Sequence, residues 1–393
     1  MSPTLPPELV EHILSDYDLD WNDLAHCCLL SHEYLDFARP RLYSHLVIYY
    51  VLAEKDRKNN RRSIFDDLLF RYDPQVLDLL STLTKYPYLA ELVQGVRFRS
   101  DGYWGCSALD CPFRAGAEVC GLLVEMCDEP SAQRSITFLE LGSPTNLMWR
   151  MLKLYQVELK HLFFTSTQAD WRPLAPAHFP AENELEHLRL ESLVFCSIAG
   201  ESWSGPHQMW SDAATFRRLT ASSHFSLTFL HMGYDPEIIR DFDIFPNLVK
   251  LELAIDGGTS AAELVKSVGT AAHLAWLRLG CEGMFAKPTR QQQDELFRLG
   301  DRSLASNLPL SLRVLGLPAG QSPEQLSSFI DEVSHLPTLR LVEHDNWSTG
   351  YDGVAEKCAT RNVRLAHHQS AFGSMGDIDR HMRVYARSGF HHL

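Results

Sequence analysis

Reactive side chains are plentiful in this chain, and few of them fall at the spacings chemistry demands. With 18 histidines and 50 Asp and Glu residues among 393, chance proximity can imitate a catalytic pair, so only fixed local patterns carry weight. Cys106, Cys111, Cys120 and Cys127 fall within 22 residues. None of them shows the two-residue gap of a zinc knuckle, whose tetrahedral site needs converging thiolates. Gly200-Glu201-Ser202-Trp203-Ser204-Gly205 lacks the spacing of a nucleophile elbow, and there is no Gly-x-x-x-x-Gly-Lys loop to cradle a phosphate. The expectation is a chain that is not an enzyme and carries neither metal nor cofactor. One set is positional rather than local. His161, His187 and His231 flank the same position in three copies of a repeated phrase, which would set them side by side if those copies were neighbouring strands.

That phrase is an apolar residue at positions one, four and six, as in Leu248-Val249-Lys250-Leu251-Glu252-Leu253. It recurs as Ile136/Leu139/Leu141, Leu159/Leu162/Phe164, Leu185/Leu188/Leu190, Leu227/Leu230/Met232, Leu274/Leu277/Leu279 and Leu312/Leu315/Leu317, with weaker copies at Val93/Val96/Phe98 and Leu339/Val342/His344. Starts 23, 26, 21, 26 and 27 residues apart match a unit of strand plus helix, and gaps of 43, 42 and 38 residues hold insertions or degenerate copies. One such unit cannot bury its own apolar face, so the copies must stack. Over residues 90 to 345 the chain resembles an irregular leucine-rich-repeat solenoid, which implies parallel strands inside and helices outside. The Asn or Cys that the family carries three residues after the last leucine is replaced by Pro144, Thr167, Leu193, Asp235, Asp256, Glu282 and Gly320. Without that ladder an uneven arc is expected.

Composition narrows the partners. A net charge of −14 opposes nucleic-acid binding, which depends on lysine and arginine displacing counterions. Nine cysteines without regular pairing distances suit a reducing compartment, cytoplasmic or nuclear. Acidic residues interrupt the N-terminus and no apolar run approaches eighteen residues, so neither leader nor membrane span is expected.

Residues 5 to 48 differ in pattern from the rest of the chain. Pro7 and Glu8 suit the first turn of a helix carrying Leu9, Val10, Ile13 and Leu14; Asp20 and Ser31 suit the caps of two more, the last ended or kinked at Pro40. Leu5-Pro6-Pro7-Glu8-Leu9-Val10, Ile13-Leu14, Asp23-Leu24, Leu29-Leu30-Ser31, Tyr34 and Arg41-Leu42-Tyr43 resemble an F-box, the three-helix motif that docks on the Skp adaptor of cullin-based ubiquitin ligases. The resemblance implies that Leu5, Pro6, Leu9, Ile13, Leu14, Leu24, Leu30, Tyr34 and Leu42 form the adaptor contact.

The expected organisation is an F-box over 1–48, a linker and first helix over 49–90, the solenoid over 91–345 and a C-terminal cap over 346–393. His45 to Val51 reads as a β-rich run, and Val76, Leu77, Leu80 and Leu83 as a helical stripe. Ser260/Glu263 and Ser322/Gln325 are capping boxes before the stripes Leu264/Val265/Val268/Ala272 and Leu326/Phe329/Ile330/Val333, and Asp235-Pro236 opens a further helix. The 197–223 insertion, with Trp203 and Trp210, is a candidate binding loop. Positions three and five of each phrase must leave the core on the other side of the strand. They supply Phe138, His161, Phe163, His187, Arg189, Phe229, His231, Trp276 and Arg278, residue types enriched in hot spots, as an open target-binding face. The functional expectation is a non-catalytic substrate receptor of a Skp-cullin-F-box ligase, its partners the adaptor, a cullin and a protein target, with no nucleic acid or membrane. The alternative is a repeat scaffold unconnected to ubiquitin.

Overall fold

Position four of the phrase is fully buried in nine of the described strands. Val96, Leu139, Leu162, Leu193, Leu230, Leu251, Leu277, Leu315 and Val342 are all 0% exposed. Each lies in a strand, and their alignment across strands is what the fold is built on. The computed structural model describes residues 6, 8–10, 21–53, 69–72, 81–83, 85–100, 136–141, 152–153, 155–167, 182–198, 213–236, 238–255, 261–281, 304–318, 321–344 and 351–367. These fall into two compact units, one holding described residues up to Leu159 and the other those from Lys160 on.

In the first unit residues 8–10 are helical, and α1 (Trp21–Leu30) and α2 (His32–Ser44) come next. Ser31 caps α2 by accepting from the Tyr34 N–H at 3.2 Å. Val10, Leu24 and Ala38 make a small core, flanked by Cys27, Cys28, Tyr34, Phe37 and Leu42. The helix does not end at Pro40, since α2 continues through it to Ser44. A proline so near a helix end forfeits a single backbone bond, and the Ser44 hydroxyl closes the last turn on the Arg41 carbonyl at 2.8 Å. The strands β1 (His45–Ala53), β2 (Leu69–Tyr72), β3 (Gly95–Ser100) and β4 (Phe138–Leu141) are ordered β2-β1-β3-β4. Only the β1/β2 pair is antiparallel. The β-rich run after the helices is thus a full member of the sheet, and the short α3 (Pro87–Ala90) buries Leu89 and Ala90 ahead of β3.

The second unit contains β5 (His161–Thr167), β6 (Ser192–Ile198), β7 (Phe229–Gly233), β8 (Lys250–Ile255), β9 (Trp276–Cys281), β10 (Val314–Leu317), β11 (Leu341–His344) and β12 (Arg364–His367). They pair in chain order and all in parallel. Parallel neighbours need a crossover, and this explains the alternation of strand and helix. The helices are α4 (Ala213–Thr220), α5 (Ala261–Gly269), α6 (Leu304–Asn307), α7 (Pro323–Glu332) and α8 (Asp352–Thr360), of which α5 to α8 pack in succession. An α/β array of repeating units is therefore present, as the phrase spacing predicts. The Ser322 capping box of α7 forms both reciprocal bonds, at 3.2 and 3.0 Å, and Leu326, Phe329, Ile330 and Val333 are buried as predicted.

Four expectations need correction. Leu185/Leu188/Leu190 is not a strand phrase. Register pairs Leu162 with Leu193 and Phe164 with Phe195, so the true copy is Leu190/Leu193/Phe195, and Glu182–Leu185 is a 3-10 turn. Two apolar phrases overlap at Leu190, and the apolar run Leu193-Val194-Phe195, with a β-branched and an aromatic residue, takes the strand from Leu185–Leu190, which is interrupted by Glu186, His187 and Arg189. Ala272 lies past the end of α5 and is exposed, its place in the core taken by Ala271. Asp235-Pro236 opens no α-helix among the described residues; it makes a turn in which Ile238 and Ile239 both donate to the Asp235 carbonyl, ahead of a 3-10 turn at Phe242–Ile244. The pairing also runs past residue 345, since α8 and β12 add a further unit whose strand pairs with β11.

A ladder does exist, on the other side of the phrase. In four units the residue immediately before position one carries a hydrogen-bonding side chain that reaches back to the preceding turn. Ser226 donates to Leu190 O at 2.8 Å and Asn247 to Phe225 O at 2.7 Å. Ser311 donates to Ala272 O and Leu274 O at 3.0 and 2.8 Å, and Thr338 to Leu310 O and Leu312 O at 2.6 and 2.8 Å. These bonds satisfy turn carbonyls that the family's asparagine ladder would otherwise serve. The cysteine cluster at 106–127, the loops at 168–181 and 199–212 and the residues beyond 367 lie outside the described residues, as do Leu5, Ile13, Leu14 and Ser260.

Candidate functional site

Strands place positions three and five opposite the leucine face, and in β7 to β11 those positions include Lys250, Glu252, Arg278 and Glu343. Register aligns His231, Glu252, Arg278, Gly316 and Glu343 in one row across five neighbouring strands. Phe229, Lys250, Trp276 and Val314 form the adjacent row. His231 Nδ1 stands 3.0 Å from Glu252 Oε2, so with Glu252 ionised this nitrogen is the donor. The other carboxylate oxygen, Oε1, faces Lys250 Nζ at 3.1 Å and Arg278 at 3.4 Å. Arg278 then passes over Gly316 to donate to Glu343 at 2.7 Å, joining β9 to β11 across the strand between them. A glycine is required there, because a β-carbon on Gly316 would stand 2.8 Å from Arg278 Cγ.

Lys250 lies between two rings, 3.8 Å from the Trp276 centroid and 5.0 Å from that of Phe229. The arrangement uses the negative faces of both rings to hold an ammonium away from water. Burial nonetheless pushes the Lys250 pKa down to about 8, the neighbouring Glu252 carboxylate restoring part of the charged form. Lys250 and Arg278 are matched by the carboxylates of Glu252 and Glu343. Every charge is thus spent on a neighbour, and what the cluster does chemically is tie strands together. Further along the sheet, His161 Nδ1 meets Ser192 Oγ at 2.7 Å, and burial holds its imidazole below the ordinary histidine range.

The open face expected from the sequence is closed. Phe138, Phe163, Phe229, His231 and Arg278 are between 3 and 5% exposed, and Trp276 is half-buried. In β7 to β11 the long side chains pack laterally, Lys250 against the Phe229 and Trp276 rings and Arg278 over Gly316. His187 and Arg189 fall in the turn before β6; both are exposed, and Arg189 donates to the carbonyls of Glu186 and Leu188. The three histidines consequently do not adjoin. His161 faces Ser192, and His231 lies between Val194 and Glu252. Among the described residues no group of three or more His, Cys, Asp or Glu is placed to hold a metal, and no helix is long and apolar enough to cross a membrane. Lys250, Glu252, Gly316 and Glu343 were not singled out from sequence, although position five read across successive phrases gives His231, Glu252, Arg278, Gly316 and Glu343.

At the other end of the chain, the residues matched to an adaptor contact divide in two. Leu24 belongs to the internal core with Val10, and Tyr34 and Leu42 pack partly against it. Pro6, Leu9 and Leu30 are exposed, as is Leu29; Leu30 and Leu29 stand 69% and 83% exposed at the end of α1.

No family model and no curated protein matches the chain. A crystal structure of a Bacteroides fragilis protein, a structural-genomics target, is similar over 82% of this chain and 74% of its own, at 12% identity and a TM-score of 0.30.

Proposed function

We propose that this chain is the substrate-recognition subunit of a Skp-cullin-F-box ubiquitin ligase. Residues 5 to 43 dock on the adaptor, the repeats hold a protein target, and catalysis belongs to the conjugating enzyme that the complex brings. Proximity is the whole mechanism, since it raises the effective concentration of target lysines near the charged enzyme. The observation that supports this reading is the pair Leu29 and Leu30, adjacent and largely exposed, together with exposed Leu9, in the segment whose motif resembles an F-box. Apolar side chains left outside a small helical core mark a surface that another protein covers.

Covering two such leucines contributes about 1.5–3 kcal/mol each, so Leu9→Asp with Leu30→Asp should weaken adaptor capture by roughly 10²- to 10⁴-fold. Both side chains are exposed, and the melting temperature should hold. Leu24→Asp, placed inside the core, should instead unfold the segment. The test is co-expression with the adaptor, scored by pull-down and thermal melting. Equal adaptor recovery by wild type and the Leu9/Leu30 variant overturns the proposal and leaves a repeat scaffold without a ubiquitin role.

A further inference from the structure

The turns that enter β9 to β12 differ in charge from the chain around them. Residues 270–275, 307–313, 335–340 and 361–363 hold three arginines, two histidines and no Asp or Glu, in a chain of net charge −14. Arg313 and Arg340 sit side by side at position two of neighbouring phrases, both exposed. Among the described residues no carboxylate reaches either one. Arg340 donates to the carbonyls of its own turn, at Pro337 and Leu339. Asp331, at the end of α7, is taken by Lys357 and Arg361. Like charges in adjacent strands repel, a cost the fold has no internal reason to keep.

Beside the arginines runs an apolar ridge. Two residues before position one stand Phe225, Pro246, Ala272, Leu310 and Pro337 in five consecutive units, with Phe225 78% and Leu310 64% exposed. The hydroxyl and amide ladder fixes this ridge, because Asn247, Ser311 and Thr338 each bond a carbonyl of a ridge residue in the unit before. Five strands at about 4.8 Å give a ridge about 19 Å long, the reach of about six extended residues. We propose that this strand-entry edge, and not the closed face, docks an extended protein segment whose apolar residues lie along the ridge and whose carboxylates meet Arg313 and Arg340. Charge complementarity selects the occupant, since a basic segment would meet the guanidinium groups of Arg313 and Arg340, and nucleic acid would meet a chain of net charge −14. The docking deepens the reading that the repeats hold a protein target and rests on that part of it alone.

The test uses the full chain and a fluorescein-labelled decapeptide of six alternating leucine and proline residues followed by four glutamates, with a four-lysine counterpart, read by fluorescence anisotropy. The acidic peptide should bind, weaken at least tenfold with Arg313→Glu and Arg340→Glu together, weaken comparably with Leu310→Asp, and weaken again between 50 and 300 mM salt (about 14 and 6 Å of screening length). The lysine peptide should not bind. Absence of binding to wild type, or equal affinity for the charge-reversed variant or for both peptides, overturns the proposal. Adaptor capture measured on the same variants should be unchanged. Failure of the wild-type chain to capture the adaptor while it still binds the acidic peptide would remove the ubiquitin reading and leave the docking edge standing.

Discussion

Alanine at Gly316 tests the charged row at its tightest point. The new β-carbon would stand 2.8 Å from Arg278 Cγ, 3.2 Å from its Cβ and 3.3 Å from its Nε. Arg278 Cβ is tied to the β9 backbone, so the guanidinium must lift away and its 2.7 Å bond to Glu343 is lost. A hydrogen bond between charged groups contributes about 1.5–3 kcal/mol, and overpacking adds about 1–3 kcal/mol. Replacing a strand glycine returns about 0.5–1 kcal/mol, which leaves a net destabilisation of about 2–5 kcal/mol. Urea unfolding followed by far-UV circular dichroism measures it. The control is the same substitution on an Arg278→Ala background, where the space is vacant and alanine should be neutral or stabilising by up to about 1 kcal/mol. The two changes should therefore couple by at least about 1.5 kcal/mol. Equal cost in both backgrounds would refute the idea that Gly316 exists to let Arg278 cross.

Two further outcomes concern other parts of the second unit. Lys250 has a folded pKa of about 8, below its unfolded value. Above pH 8 the folded state sheds this proton while the unfolded state keeps it, so stability should rise from pH 8 to about 10.5, by up to about 3 kcal/mol; a titration in which wild type and Lys250→Met rise in parallel contradicts this. Ser311→Ala and Thr338→Ala each remove a donor to two turn carbonyls and should cost about 1 kcal/mol apiece in the same urea assay, whereas Ser328→Ala on the exposed face of α7 should leave the midpoint in place.

Repeat spacing made the sheet legible because position four tolerates only an apolar residue, and each strand records that requirement separately. Leu190 shows where the record fails. It closes one apolar phrase and opens the next, and local pattern alone cannot choose between them without the register that Leu162 imposes from β5. The unit ending in β12 was missed because its phrase begins at Asn362, a polar residue in left-handed conformation with φ of 57°, and ends at His367. Burial of the charged row was hidden for a different reason. Sequence tells which side of a strand Lys250 and Arg278 leave from, but not that they lie down along the sheet instead of standing out from it. The ladder, by contrast, was open to reading, since Ser226, Asn247, Ser311 and Thr338 all precede position one.

Arg278 also changes how the array comes apart. In a linear repeat array each unit contacts only its neighbours, and unfolding can stop at any boundary with an energy that sums pairwise terms. A side chain from β9 bonded to β11 is a next-nearest-neighbour term, so β10 cannot open while its flanks stay joined, and neither flank can fray without releasing the other. Amides of Leu277, Leu315 and Val342 should then exchange as one cooperative block with a single opening free energy, and a repeat spliced out at β10 would sever a link that neither of its own interfaces contains.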